Sequence, residues 1–244
     1  MPSSRTPKRP PTSPARATPK LRLAPGDRER QILEGAIAYF SEVGFSGQTR
    51  ELAKRLGITQ PLLYRYFPNK QALVERVYQT VFEGRWNPSW IPLLQDRSTP
   101  LRERLVEFYR QYAAATYRPE WIRIYMYAGL SDPVLNRRYI QLVRKQLMPV
   151  YCREVRHACG LPDSDTEVVE EEIEFVWNLH GGVFYMAMRE HVYKTKINVD
   201  FLTQVGFAVD NFLAGARTIY PQLLARFAPE ALGRPPVPRA AARR

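Results

Sequence analysis

Gln60, Pro61, Leu62, Tyr64 and Arg65 fall within six consecutive positions, with Thr59 just before them and Lys70 five residues beyond. These side-chain types suit a nucleic acid. A glutamine amide pairs in bidentate fashion with N6 and N7 of adenine, and an arginine reaches guanine or a phosphate. Pro61 and Leu62 can pack on thymine methyl groups, and the Tyr64 hydroxyl can donate to a phosphate oxygen. Lys70 opens a further helix, whose unpaired N–H groups together with the ammonium suit a phosphate.

Such chemistry needs these groups on one face of a small, well-held element. At 100° per residue, Leu63 and Phe67 point together toward a core shared with Leu52 and Leu56, while Gln60, Pro61, Tyr64 and Arg65 point away from it. The pattern predicts a helix over 50–56, a turn at Gly57-Ile58 and a second short helix over 60–66. Gly57 suits the left-handed conformation that ends a helix, Thr59 can cap the next one, and Pro61 sits in a first turn where its missing N–H costs nothing. Pro68 interrupts the chain, and Asn69 is placed to cap a longer helix over 70–84. This is the outline of a helix-turn-helix. A plain corner between two helices has the same outline and recurs in many folds, so the spacing alone leaves both readings open.

The full string Leu56-Gly57-Ile58-Thr59-Gln60-Pro61-Leu62-Leu63-Tyr64-Arg65-Tyr66-Phe67-Pro68-Asn69-Lys70-Gln71-Ala72-Leu73, with Ala36, Phe40, Gly44-Phe45 and Glu51-Leu52-Ala53 upstream, closely resembles the DNA-binding domain of the TetR (tetracycline-repressor) family of bacterial regulators. The resemblance covers residues 27–86. It implies a ligand-responsive DNA-binding regulator, by family habit a repressor, whose contacts with double-stranded DNA come from Thr59, Gln60, Pro61, Leu62, Tyr64, Arg65 and Lys70. It further implies a homodimer formed by the last two long helices in a four-helix bundle, with a roughly palindromic operator. Two positions depart from the pattern. Leu62 stands where the family often has Thr, and Gln48 or Thr49 must serve where the helix before the turn usually opens with a Ser/Thr capping box.

The remainder also reads as helices. Residues 27–43 place Ile32, Ala36, Tyr39, Phe40 and Val43 at three- and four-residue steps. After a Trp- and Pro-marked connector over 86–92, helical periodicity returns over 101–117, 119–130, 133–157, 166–192 and 200–219, with a kink or break expected at Pro149. No alternating run bounded by hairpin turns argues for a sheet. The expected fold is therefore all-α: an N-terminal three-helix domain plus a larger helical ligand-binding and dimerisation domain. The expected boundaries are a disordered basic, Pro-rich arm over 1–26, the DNA-binding domain over 27–86, the effector-binding and dimerisation domain over 87–227, and a disordered basic tail over 228–244.

Trp121, Tyr125, Trp177, His180 and Phe184 concentrate aromatic rings in the second domain, either as core or as the lining of an apolar pocket for a small hydrophobic or aromatic effector. His180 is followed by two glycines inside a helix, which cost about 1 kcal/mol each relative to alanine. Close approach of a partner subunit would offset that. Glu170, Glu171, Glu172 and Glu174 read as a solvated acidic run favoured by a helix N-terminus. Cys152 and Cys159 stand seven apart, about 10 Å along a helix axis and beyond disulfide reach. They read as ordinary thiols, with a redox or metal sensor as the alternative.

Composition narrows the functional class. The 244 residues are 45% hydrophobic, and the net charge of +12 gathers in the terminal segments: six bases and no acid over 1–26, and four bases over 233–244. A high pI of this origin does not by itself mark a DNA-binding protein. No apolar run approaches the ~18 residues of a membrane span, and seven prolines in the first 26 residues argue against a transit-peptide helix. No Ser/His/Asp set, phosphate-cradling glycine loop or paired metal motif is present, so neither an enzyme nor a cofactor or metal site is expected, and the expected location is the bacterial cytoplasm, at the nucleoid. The competing readings are a helical protein-interaction module and an effector-independent, nucleoid-associated DNA-binding dimer.

Overall fold

The computed structural model describes residues 24–131, 133–162 and 166–233. Among the described residues the chain forms helices joined by turns, and no strand. The basic arm up to residue 23 and the tail from 234 lie outside the described residues.

The first helix, α1 (Pro25–Val43), buries Ile32, Ala36, Tyr39 and Phe40 of the face its spacing predicts, while Val43 at its last turn is exposed. Two short helices, α2 (Thr49–Arg55) and α3 (Gln60–Tyr66), close a core with it through Leu52, Ala53, Leu63 and Phe67. Gly57 joins them at φ +62°, the conformation expected of it. Gly35 on α1 packs closely on Leu56 beside the turn, and a Cβ there would force the Leu56 side chain to shift. Thr59 caps α3 by accepting from the Leu62 N–H at 3.3 Å, and Asn69 caps α4 (Lys70–Val81) by accepting from Ala72 at 2.8 Å. A 3-10 turn over Glu83–Arg85 follows, so the helix expected to reach 84 ends sooner and in tighter coil.

The connector expected over 86–92 holds a helix. Trp90 opens α5 (Trp90–Gln95), is fully buried, and packs on Trp86, Phe108 and Tyr112. With Pro88 and Pro92 in so short a segment, no periodicity stands out. The second domain continues as α6 (Leu101–Thr116), α7 (Pro119–Ser131), α8 (Val134–Gln146) and α9 (Met148–Ala158). The break expected at Pro149 falls at Leu147. Proline becomes the second residue of α9, and the i→i−4 ladder of α8 cannot continue through it. Two long helices, α10 (Glu170–His191) and α11 (Phe201–Phe227), pack against each other. The last helix carries Pro221 inside it and runs eight residues past its expected end. A 3-10 turn over Pro229–Leu232 follows, burying Ala231, so ordered chain extends into the segment assigned to the tail.

Glu172 corrects the reading of a solvated acidic run, because its side chain is fully buried. The equally buried Arg156 donates to both of its oxygens at 2.7 and 2.6 Å, and the Tyr220 hydroxyl and the Val169 N–H each donate at 3.0 Å. A buried carboxylate is tolerable only with its lone pairs filled in this way. The exposed Glu170 and Glu174 pair instead with Arg144 on α8. Among the described residues no helix is long and apolar enough to cross a membrane.

Candidate functional site

The candidate recognition face belongs to α3. Pro61 and Arg65 are exposed, and Gln60, Leu62, Tyr64 and Lys70 are half-buried. Gln60 and Tyr64 do not simply face away from the core, as the helical wheel predicts. They form a three-membered network with Thr49, the first residue of α2. The Thr49 and Tyr64 hydroxyls lie 2.7 Å apart, and Gln60 Nε2 donates to Thr49 Oγ1 at 3.1 Å and to the Tyr64 hydroxyl at 3.5 Å. Thr49 is itself buried. Thr49 is not the helix cap that the sequence offers as one choice; that position is Gln48, whose side chain makes no cap hydrogen bond. The structure spends the Thr49 hydroxyl on fixing the rotamers of the two residues best suited to meet a duplex. Gln60 keeps its amide oxygen for a base edge, and Thr59, accepting at Oγ1, keeps its own proton for a phosphate.

A second feature lies between α6, α7, α8 and α10. Trp121, Tyr125, Trp177, His180 and Phe184 all line one cavity of about 90 Å³, with Tyr112, Tyr117 and Tyr139. Trp121 and Tyr125 stack at 5.0 Å and 11°, and Phe184 meets Tyr125 edge-on. Burial holds the His180 imidazole neutral by lowering its pKa to about 4. The tyrosines beside the cavity share no local spacing in the sequence: Tyr112 lies on α6, Tyr117 just past its end and Tyr139 on α8.

The helices that line this cavity also hold the first domain. On α7, Trp121 and Tyr125 face the cavity, while Arg123 and Tyr127 donate to the Ser41 and Glu42 carbonyls at 2.6 and 2.9 Å. These are among the last carbonyls of α1, which the helix itself cannot satisfy. On α8, Tyr139 lines the cavity. Its neighbour Arg138 pairs with Glu75 on α4 and with Glu83, both at 2.8 Å, and lies 4.3 Å over the Tyr78 ring. Cys152 and Cys159 take no part. Burial, and for Cys152 also Glu172, pushes the Cys152 thiol up to about 12, and burial raises Cys159 too, so neither is a ready thiolate.

Residues 32–77 match the family model described as bacterial regulatory proteins, tetR family. The N-terminal domain thus matches the DNA-binding domain of the TetR family. It is 44% identical over 61 residues to the nucleoid occlusion factor SlmA of Haemophilus ducreyi, a match spanning 22% of this chain and 30% of that protein. It is 41% identical over 85 residues to the class A tetracycline repressor protein from transposon 1721 of Escherichia coli, spanning 32% of this chain and 39% of that one. The chain thus spans well under half the length of the curated relatives it matches. The crystal structure of a TetR-like transcriptional regulator from Rhodococcus sp. RHA1 superposes with a TM-score of 0.57 at 20% identity, over 80% of this chain and all of that one, so the likeness in fold extends into the second domain.

Thr49→Val and Tyr64→Phe each remove one partner of the same hydrogen bond. Each variant is expected to lose about 1 kcal/mol of unfolding free energy, and the double variant less than the sum; fully additive losses in denaturant titrations would show that the two hydroxyls do not meet in solution. His180 gives a pH signature. With a folded pKa near 4, below the ordinary 6.5, its contribution is complete above pH 6.5 and is lost as pH falls toward 4. The difference in stability between the parent and His180→Phe should therefore shift by roughly 3 kcal/mol over that window; parallel pH profiles would place the imidazole in contact with water.

Proposed function

We propose that this protein is a transcriptional regulator of the TetR type that binds a roughly palindromic operator as a homodimer and lets go of it when a small, largely apolar effector occupies the second domain. The observation that carries this reading is the α3 face. Gln60, Pro61, Leu62, Tyr64 and Arg65 lie on one short helix capped by Thr59 and held by α1 and α2, with Gln60 and Tyr64 tied to Thr49, and Lys70 opens the helix that follows.

A homodimer is supported by the outer faces of α10 and α11. On α10 Tyr185 is 52% exposed, and on α11 Phe207 and Ile219 are 66% and 47% exposed. A Cβ at Gly182 or Gly215 would meet nothing within 4 Å, so the protomer by itself gives no reason for glycine there. A partner's close approach would. Two copies joined in this way would present two recognition helices to successive major-groove segments.

The effector would act through the two connections described above. A molecule that parts the cavity walls displaces α7 and α8, and with them the grips on α1 and α4. It shifts DNA affinity only to the extent that it binds the two arrangements unequally. The match to a nucleoid occlusion factor supports a second reading, a nucleoid-associated dimer without effector control, but it spans only 22% of this chain.

The test is DNA selection from a random pool with the full chain, followed by titration of the selected site and of random DNA. Gln60→Ala should cost about 1–3 kcal/mol on the selected site and relax preference at one base pair, whereas Lys70→Ala should weaken both DNAs and lower the salt slope by about one unit. Equal losses for Gln60→Ala on both DNAs would remove its base-reading role, and failure to enrich any sequence would overturn the proposed function.

A further inference from the structure

The aromatic cavity carries chemical information about its occupant. No residue with an ionised side chain lines it, so nothing in the wall would neutralise a carboxylate or an ammonium, and burying an unpaired charge is prohibitive. The rings supply flat apolar surface on several sides. Three polar atoms on the lining residues nevertheless lack a hydrogen-bond partner: the Tyr117 hydroxyl, Trp121 Nε1 and His180 Nδ1. Buried polar atoms are ordinarily paired. The Tyr112 and Tyr139 hydroxyls, by contrast, satisfy each other at 2.7 Å.

These orphaned atoms have defined roles. An indole N–H can only donate, whereas a neutral imidazole nitrogen and a tyrosine hydroxyl can take either part. A single hydroxyl group would accept from Trp121 and donate to His180 or Tyr117. A cavity of about 90 Å³ is smaller than the roughly 150 Å³ apolar cavity that holds benzene. One ring therefore fits only if a wall yields. Tyr125, Trp177 and Phe184 are the half-buried members of the wall, and the space over Gly181 is open to within 4 Å of a Cβ.

We infer that the cavity receives an uncharged single-ring aromatic bearing a hydroxyl, the chemical class of simple phenols, with the ring among Trp121, Tyr125 and Phe184 and the hydroxyl on the unpaired Trp121, His180 and Tyr117 atoms. This rests on the reading of the cavity as the effector site, and it adds the class of effector. At neutral pH a phenol is uncharged, so it enters without stranding a charge. Its entry pushes on the same half-exposed rings whose helices grip the first domain.

The experiment uses the full chain with phenol, toluene and benzoate as probes, read by calorimetric titration and thermal shift, and then by release of the selected DNA. Phenol is expected to bind more tightly than toluene, and benzoate not to bind. Trp121→Phe keeps a ring and removes the donor, and Tyr117→Phe does the same for the hydroxyl. Either should weaken phenol by about 3- to 10-fold, the loss of one neutral hydrogen bond, and leave toluene unchanged, so one variant suffices should the other fail to fold. Toluene equal to or tighter than phenol, or benzoate tightest of the three, would overturn the inferred class. If phenol binds in this pattern and DNA affinity does not move, the class stands and the effector reading fails. If none of the three binds while DNA binding is intact, both fall.

Discussion

A helix leaves its last carbonyls without partners, and in this protein the end of α1 is completed by another domain. Arg123 and Tyr127 on α7 donate to Ser41 and Glu42, so the first helix of the three-helix domain ends only where α7 supplies donors. The domain that carries the recognition face therefore does not swing on a slack linker. Its orientation is referred to α7 through hydrogen bonds to main-chain atoms and to α8 through the Arg138 pairs with Glu75 and Glu83. Everything proposed about control depends on this arrangement. A 3.6-residue period puts Trp121 and Tyr125 on one face of α7 and Arg123 and Tyr127 on another, so one rigid element touches the cavity and the DNA-binding domain at once.

The recognition face shows how little polar chemistry is needed once geometry is fixed. Thr49 contributes one hydroxyl, yet that hydroxyl meets both Tyr64 and Gln60 and ties α3 to α2. The tie reduces the rotamer freedom that a long side chain would otherwise lose on meeting DNA, a cost of about 0.5–1.5 kcal/mol per side chain. The buried Glu172–Arg156 pair plays a different part. It joins α9 to the start of α10, and its hydrogen bonds offset its desolvation more than they supply net stability.

Much of this was legible in the residues. The three-residue and four-residue spacing of Ile32, Ala36, Tyr39 and Phe40, the Gly57 turn, and the caps Thr59 and Asn69 each act within one or two helical turns, and the structure shows them as read. The short helix at Trp90 and the length of α11 were not legible. The first is too short for a periodic signal and carries prolines, and the second continues through Pro221 because tertiary packing of Tyr220 and Leu224 outweighs one missing hydrogen bond. The burial of Glu172 was hidden as well. Its partner Arg156 lies on another helix, and a run of glutamates looks alike whether one of them turns inward or none does.

What the sequence determined by itself is therefore local: helices, their caps and turns, the all-α class, and a string of side chains around Gln60 matching a known DNA-binding domain. These follow from periodicity and from bonds between near neighbours along the chain. Only the tertiary structure decided that Thr49 would lock the recognition residues, that aromatic rings from four helices would enclose one uncharged cavity, and that the helices bearing those rings would also hold the first domain. Those facts arise from the packing of elements distant in sequence, where the shape left between helices, and not any one residue's preference, sets which atoms meet.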